Sequence, residues 1–509
     1  MGNQFIISHD VGTSSNKTVL VNTKGNILAT ASAPYPLLTP HPNWVEQNPE
    51  DYWSAIIKTT KEVMEKSQIS PKDIIGIIYT TQAMGVIPID RQGNILRPNI
   101  SWVDGRAEKQ AQKIMNKFLG ERLFKGVVGT TLMGKDVIPK LLWVKEMEPE
   151  IYSKTNYFLD VNGYLKFKST GIPIMEWSGA SSYGFNLKKK DWLKTFFQIC
   201  GIETNKLPPL VRSIDQVGGL TKEAAQDMNL LEGTPVFGGC DDVQSAAVGA
   251  DAIGEGEAHI YLGTSAWVCV STSKNLKFKN GAAVIQSADP NMNQVVGITE
   301  AAGSCIQWIA DQFYKHEKQD KSINNVFELM DAHVKEIPPG SDYLICTPWM
   351  LGERCPVSTT TTRATLFNIS LEHTREHMMR AVYEGVSYNI SWILENFKKD
   401  YGFEVSTLKL IGGGSLDEQW MQILADVTQK PVNTVADPQM AGAVGSAICA
   451  AIGLGIYDDF SCTKELIKTD KHYEPNQKNA KIYSELLTSY KSIYYSLNKS
   501  YAQINASRF

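Results

Sequence analysis

Three short segments combine residue types that can handle a phosphorylated ligand. The first, Asp10-Val-Gly-Thr-Ser-Ser-Asn-Lys17, sets a carboxylate at a strand end, then a glycine, hydroxyl residues and a cation. Gly12 lets backbone amides approach an anion, Thr13 and Ser14 can donate to phosphate oxygens, Lys17 adds positive charge, and Asp10 can hold Mg²⁺ through water. A polar hairpin turn has the same composition, so this motif alone leaves both readings open. The second, Gly238-Gly-Cys-Asp-Asp-Val-Gln-Ser245, places Asp241 and Asp242 before a small-residue helix. One acid there is explained as an ordinary helix cap; the other has no capping duty, and a carboxylate over a cleft can accept a substrate proton. The third, Gly412-Gly-Gly-Ser-Leu-Asp-Glu-Gln-Trp420, clears side chains from a turn, against which a flat ring can lie. A plain strand-to-helix turn fits it equally well.

Candidates for a small polar substrate lie at Thr80-Thr-Gln-Ala-Met-Gly85 and Trp102-Val-Asp-Gly-Arg106. Gln82, Asp104 and Arg106 offer the mixed donors and acceptors that a polyhydroxylated molecule needs, with Trp102 as an apolar platform. The competing account of Asp104 and Arg106 is a surface ion pair. A rival phosphate motif, Gly129-Thr-Thr-Leu-Met-Gly-Lys135, has the GxxxxGK spacing, but Asp136 stands where a Ser or Thr would hold Mg²⁺. An aspartate there repels phosphate, and Leu123 to Val128 makes a poor buried strand, so a P-loop is not expected.

Elements must position these groups. Residues 4–8 and 18–22 read as strands around the first motif, with a turn at Lys24-Gly-Asn26 into a third. His259 to Ser271 repeats strand, Gly-Thr-Ser turn, strand, so the turns at Gly12 and Gly263 suggest a duplicated domain. Strand-like runs such as Ile74 to Thr80 and Leu408 to Ile411 alternate with helical stretches such as Asp51 to Lys66 and Arg375 to Asn396, which predicts an α/β fold. The 509 residues exceed what one core holds, and a boundary is expected near Val248 to Gly256, giving units 1–250 and 251–509 that abut along a cleft.

Composition narrows the partners. The chain is 43% hydrophobic and 20% charged with net charge −4, and no basic stretch is interleaved with aromatics, so nucleic acid is not an expected partner. Eight scattered cysteines show no metal-ligand spacing and read as buried thiols in a reducing compartment. No signal-peptide pattern opens the chain, so a cytoplasmic location is expected. The uncharged run Met440 to Tyr457 contains four glycines, and it reads as a tightly packed buried helix, not a membrane span.

In order along the chain these segments resemble the FGGY family of carbohydrate kinases. The resemblance takes in the Asp10 hairpin, Trp44-Val-Glu-Gln-Asn-Pro-Glu-Asp-Tyr-Trp53, Trp102 to Arg106, Lys140-Leu-Leu-Trp-Val-Lys-Glu146 and Gly233 to Asp241. It continues through Leu262 to Ser265, Gly352 to Pro356, Arg380 to Gly385 and Gly412 to Ser415. Within the family, His41 to Gln47 and Leu141 to Tyr152 are most similar to xylulokinases.

The resemblance implies two ribonuclease-H-like domains of the actin-like ATPase kind, a sugar-binding N-terminal and an ATP-binding C-terminal one, flanking a cleft. It further implies ATP and Mg²⁺, a small sugar or polyol substrate, and a homodimer as one expected state. Asp241 matches the catalytic aspartate and Asp10 the residue near Mg²⁺. The turns at Gly12 and at Gly263 and Thr264 match phosphate-binding hairpins, while Gly303, Ser304, Gly413 and Gly414 would lie near adenosine. Two departures bear on the substrate. Xylulokinases show Gln-Met-His-Gly where this chain has Gln82-Ala83-Met84-Gly85, and Asp242 replaces the usual amide. The expected activity is phosphorylation of a ketopentose such as D-xylulose, with another ketose, polyol or aldonate as the alternative. A switching ATPase with the same hairpins, or an idle sugar-binding protein, would be the reading from another class.

Overall fold

The computed structural model describes residues 4–128 and 131–505. Two seven-stranded sheets organise it. In the first, β1 (Phe5–Val11), β2 (Ser15–Asn22) and β3 (Ile27–Pro34) form an antiparallel meander, and β4 (Ile74–Thr81) lies parallel to β1. Strands β5 (Gln216–Gly219) and β6 (Pro235–Phe237) extend that side, and β7 (Cys240–Asp241) also pairs with β4. The second sheet contains β8 (Ala258–Leu262), β9 (Ala266–Thr272), β10 (Ala283–Gln286), β11 (Asn293–Thr299), β12 (Leu408–Ile411), β13 (Val432–Val435) and β14 (Thr469–Tyr473).

The spatial orders are β5-β6-β4-β1-β2-β3 and β14-β13-β12-β8-β9-β11-β10. Each runs through the same succession of antiparallel and parallel pairings, so two three-residue turns in the sequence mark a whole repeated sheet.

The helices that matter for the site are α1 (Pro49–Ser67), α2 (Val137–Met147), α3 (Val161–Thr170), α4 (Trp177–Tyr183), α5 (Asp242–Gly249), α6 (Gly303–Phe313), α7 (Arg375–Tyr401), α8 (Glu418–Thr428) and α9 (Ala441–Gly453). Their ends follow from the residues there. In α1, Asn48 accepts the Glu50 N–H, proline opens the first turn, Glu50 and Asp51 lie near the positive end, and Gln68 closes it in a left-handed conformation. The segment Leu123 to Val128, a poor strand by its sequence, falls within the helix Glu121–Val128.

The uncharged run beyond Met440 forms α9, a helix buried almost all round. Among the described residues no helix is long and apolar enough to cross a membrane. Instead α9 packs its small residues against the first sheet, in a core that joins Ile6, Val19, Ile78 and Phe237 to Ala443, Ala447 and Ile448. A helix from the end of the chain thus completes the first sheet's second face. It also packs along α5, where a Cβ on Gly249 would stand 1.8 Å from the Ala441 carbonyl oxygen and one on Gly445 2.1 Å from that of Ser245. Glycine is obligatory at both positions because backbone meets backbone.

Candidate active site

Strand β7 delivers Asp241 to the N-terminus of α5, but its side chain makes no cap bond. Asp242 takes the local role, with Oδ1 accepting the Val243 N–H at 2.8 Å. Of the two adjacent acids, the one left over is therefore Asp241, whose Oδ1 is buried without a partner among the described residues. Its backbone is held from behind. The Asp241 N–H donates to Ser178 Oγ at 2.9 Å, and Ser178 is anchored through both its N–H and its hydroxyl on the Glu176 carboxylate.

One buried cation, Lys166, donates to the Gly238 carbonyl at 2.9 Å amid Asp160, Glu176 and Asp241. Burial, with repulsion from Asp160, Asp242 and Glu176, holds the Asp241 carboxyl well above the usual carboxylate range against the pull of Lys166. Burial and the nearby Asp10 bring Asp242 up to about 7. Burial also raises Asp10, against the pull of Lys17. A carboxylate made more basic in this way is suited to take a proton from a hydroxyl.

Beside Asp241, β4 ends in Thr80 and Thr81, and Gln82 follows. Gln82 donates through Nε2 to Gln47 Oε1 at 2.9 Å and to the Tyr52 hydroxyl at 3.2 Å, while its own Oε1 and the Thr81 hydroxyl are buried without partners among the described residues. Gln47 in turn donates to the Thr13 carbonyl at 2.8 Å, tying this side to the first hairpin. Trp102 does the same, its indole N–H donating to Thr13 Oγ1 at 2.8 Å, so it serves as a donor as well as a platform. Gln47, Tyr52, Glu176 and Ser178 were not singled out from the sequence. The first two lay inside the Trp44 to Trp53 segment, whereas nothing local distinguished Glu176 and Ser178.

Met84 adopts φ 61°, rare for an unbranched apolar residue, and packs against the apolar cluster that contains Trp143, with Ala83 half-buried before it. Asp104 and Arg106 are not a surface pair: both side chains are fully buried and bonded at 2.7 Å. Arg106 also lies 3.9 Å over the Trp44 ring and 2.7 Å from Glu46, and Asp104 accepts the Val45 N–H. Only Nη1 of that guanidinium lacks a partner among the described residues. This pair frames the pocket through the loops it clamps.

The two hairpins lie over the ends of β1 and β8. Gly12 closes the first, its N–H donating to the Ser15 carbonyl at 3.0 Å, and Gly263 closes the second onto the Ser265 carbonyl at 2.9 Å. Thr264 and Ser14 are exposed there, and Lys17 is half-buried. The Gly303 and Ser304 N–H groups are spent on the hairpin, donating to the carbonyls of Gly263 and Thr264 at 2.9 and 3.0 Å. Past β12, Gly412 has φ 90°, and Gly413 meets only the Gln439 amide within van der Waals reach. A Cβ on Gly414 would press within 2.9 Å of both Leu262 and Trp420. An open bare-backbone step above a packed floor has the shape for a flat ring.

The first two residues of Gly129 to Lys135, Gly129 and Thr130, lie outside the described residues. Lys135 itself bonds Glu300 at 2.9 Å, and Arg354 joins the same carboxylate at 2.9 Å, linking the insertion before α2 to the loop after β11. Asp136 accepts the Met133 N–H at 2.7 Å. No group of three or more His, Cys, Asp or Glu poised for a metal occurs among the described residues. A hard carboxylate such as Asp10, with Asp242 nearby, fits an ion that keeps most of its waters and shares phosphate oxygens, which is the habit of Mg²⁺.

The chain is similar to known proteins over nearly its whole length. The model of the FGGY family of carbohydrate kinases, N-terminal domain, matches residues 5–249, and that of the C-terminal domain matches residues 258–454. The xylulose kinase of Bacillus subtilis (strain 168) is 33% identical over 494 residues, covering 96% of this chain and 97% of that protein. The gluconokinase of the same organism is 28% identical over 504 residues, covering 98% and 97%. The crystal structure of ligand-bound xylulose kinase from Lactobacillus acidophilus superposes with a TM-score of 0.89 at 23% identity, covering 98% of this chain and 100% of that one, a likeness of fold.

Proposed function

The chain belongs to the FGGY family of carbohydrate kinases, and from that premise we propose that it transfers the γ-phosphoryl group of ATP to a hydroxyl of a ketopentose such as D-xylulose, with Asp241 as the base. The observation that carries this reading is the set of buried, unpartnered atoms Asp241 Oδ1, Gln82 Oε1 and Thr81 Oγ1 at the end of β4 and β7. Buried polar atoms without partners are costly, about 1–3 kcal/mol each, and a polyhydroxylated ligand satisfies several at once.

Asp241 accepts the hydroxyl proton as the oxygen attacks, with Ser178 and Glu176 fixing its backbone and Lys166 balancing the charge behind it. The Thr13 and Thr264 amides receive the phosphate chain at turns closed by the Gly12 and Gly263 N–H groups, with Lys17 and Ser14 at the first hairpin. Gly303 and Ser304 hold the second hairpin in place, and Gly413 and Gly414 offer the ring step. Bound at Asp10, Mg²⁺ would supply neutralisation of phosphate charge. Gln82, Ala83, Met84 and Trp102 form the sugar side, stiffened by Asp104 and Arg106, and Asp242 stands between base and hairpin.

A second substrate reading, an aldonate or polyol, is favoured by Met84. A thioether in place of an imidazole removes a hydrogen-bond partner for one sugar hydroxyl, and gluconokinase is among the similar proteins. A coupled ADP-release screen over pentuloses, hexuloses, polyols and aldonates decides between them. Asp241→Asn should abolish sugar-dependent ADP release and leave ATP binding within about threefold, because the lost charge faces the hydroxyl. Retained turnover would remove the base from the mechanism. ATP hydrolysis indifferent to every sugar would point to a switching ATPase.

A further inference from the structure

The repeated sheets set equivalent residues at equivalent places. Asp10 is the penultimate residue of β1, two before Gly12 and opposite Thr80 of the parallel neighbour β4. Tyr261 is the penultimate residue of β8, two before Gly263 and opposite Ile411 of the parallel neighbour β12. Where the first copy carries a carboxylate beside its hairpin, the second carries a phenol.

That ring has a prepared seat. It stacks on Trp267 with centroids 4.2 Å apart and planes 11° apart. A Cβ on Gly263 would lie 2.4 Å from its Cε1 and 2.7 Å from its hydroxyl, and a Cβ on Gly412 would lie 3.0 Å from Cε2. Both glycines therefore leave space for the ring, which fills the gap between the second hairpin and the triple-glycine turn. Its residue is only half-buried, and among the described residues the hydroxyl has no hydrogen-bond partner. Burial, then the charges of Asp10 and Asp242, push the phenol up to about 12, so it keeps its proton and can only act as a donor toward an anion.

We propose that the Tyr261 hydroxyl is a phosphate contact of the cleft, donating a hydrogen bond to an oxygen of the nucleotide's phosphate chain from the second hairpin, across from Asp10 on the first. This rests on the reading of the cleft as an ATP site. The phenol gives the second copy a neutral donor where another carboxylate would repel the polyphosphate. The seat of its ring also explains why Gly263 tolerates no side chain.

Tyr261→Phe keeps the ring, its stack and both glycine contacts, and removes only the hydroxyl. Calorimetry on the full chain should show ADP and ATP bound about tenfold more weakly while AMP binding stays within twofold, since the terminal phosphates are what is lost. KM for ATP should rise while KM for the sugar is unchanged. Unaltered ADP affinity, or equal losses for ADP and AMP, would overturn the contact. Nucleotide binding is read without turnover, so a wild-type chain that phosphorylates no sugar sinks the kinase reading and leaves this one measurable. Should the variant fold poorly, 3-fluorotyrosine at position 261 provides the second reading. Its fluorine resonance should move with ADP and not with AMP, and a resonance unmoved by ADP overturns the proposal.

Discussion

At the scale of single residues, the chemistry rests on placing charge where charge is costly. Asp241 shares its surroundings with Asp160, Glu176 and Asp242 against the one cation Lys166. Its affinity for a proton is thereby higher in the folded chain than in the unfolded one, so folding takes up protons, and stability falls as pH rises from the ordinary carboxylate range toward the raised value. Asp241→Asn cannot ionise and escapes that loss. Its melting temperature should exceed that of the wild type by more at pH 8 than at pH 5, and a smaller difference at pH 8 would contradict the sign. Activity should run the other way, with kcat/KM rising with pH along a limb that lies above the ordinary aspartate range, since only the ionised base accepts a proton. Met84 provides the specificity test. Histidine tolerates a left-handed backbone better than methionine and restores a hydrogen-bonding group. Met84→His should raise kcat/KM for D-xylulose about tenfold. No change would mean that the side chain at this position does not touch the sugar.

Among elements, the decisive contact is between α5 and α9. Helix α5 begins next to Asp241, the proposed base, and is stacked on α9 by Gly249 and Gly445, where an added Cβ would stand 1.8 and 2.1 Å from backbone oxygens. Gly249→Ala should cost about 1–3 kcal/mol or more, because a helix pair must separate to admit the methyl. Thermal or urea unfolding would read that cost. The same shift moves Asp241 relative to β4, so kcat should fall more than ATP affinity does. Equal stability and full activity would mean that the helices slide freely. The short helix α4 is a second link. Ser178 holds the Asp241 backbone, and Ser181 accepts the Gln286 N–H from β10 of the other sheet at 3.1 Å, so one helix touches both Asp241 and the second sheet.

For the molecule as a whole, Lys135 and Arg354 share Glu300 between the segment before α2 and the loop joining β11 to α6. Pairs about four-fifths covered from solvent contribute more than surface ones but still modestly. Lys135→Ala should leave ATP affinity within about threefold and weaken the sugar's apparent affinity in a salt-dependent way, because the pair joins the two sides and holds no phosphate. Loss of ATP binding would restore the P-loop reading of that segment.

The order of the motifs was enough to read the family, the α/β class and the likeness of the two Gly-Thr-Ser turns, because strand ends, glycines and acids are local requirements of a phosphate-binding turn. Residue types alone left Asp241 and Asp242 as two candidate acids, and the family resemblance singled out Asp241. In the structure Asp242 takes the local N–H, while Asp241 Oδ1 has no partner among the described residues. The seating of Arg106 against Trp44 and Trp143, the support of Asp241 by Ser178, and the completion of the first sheet by a helix about two hundred residues beyond it have no local signature. Each depends on which distant residues meet, and a chain's spacing constrains neighbours along the strand far more than neighbours across a cleft.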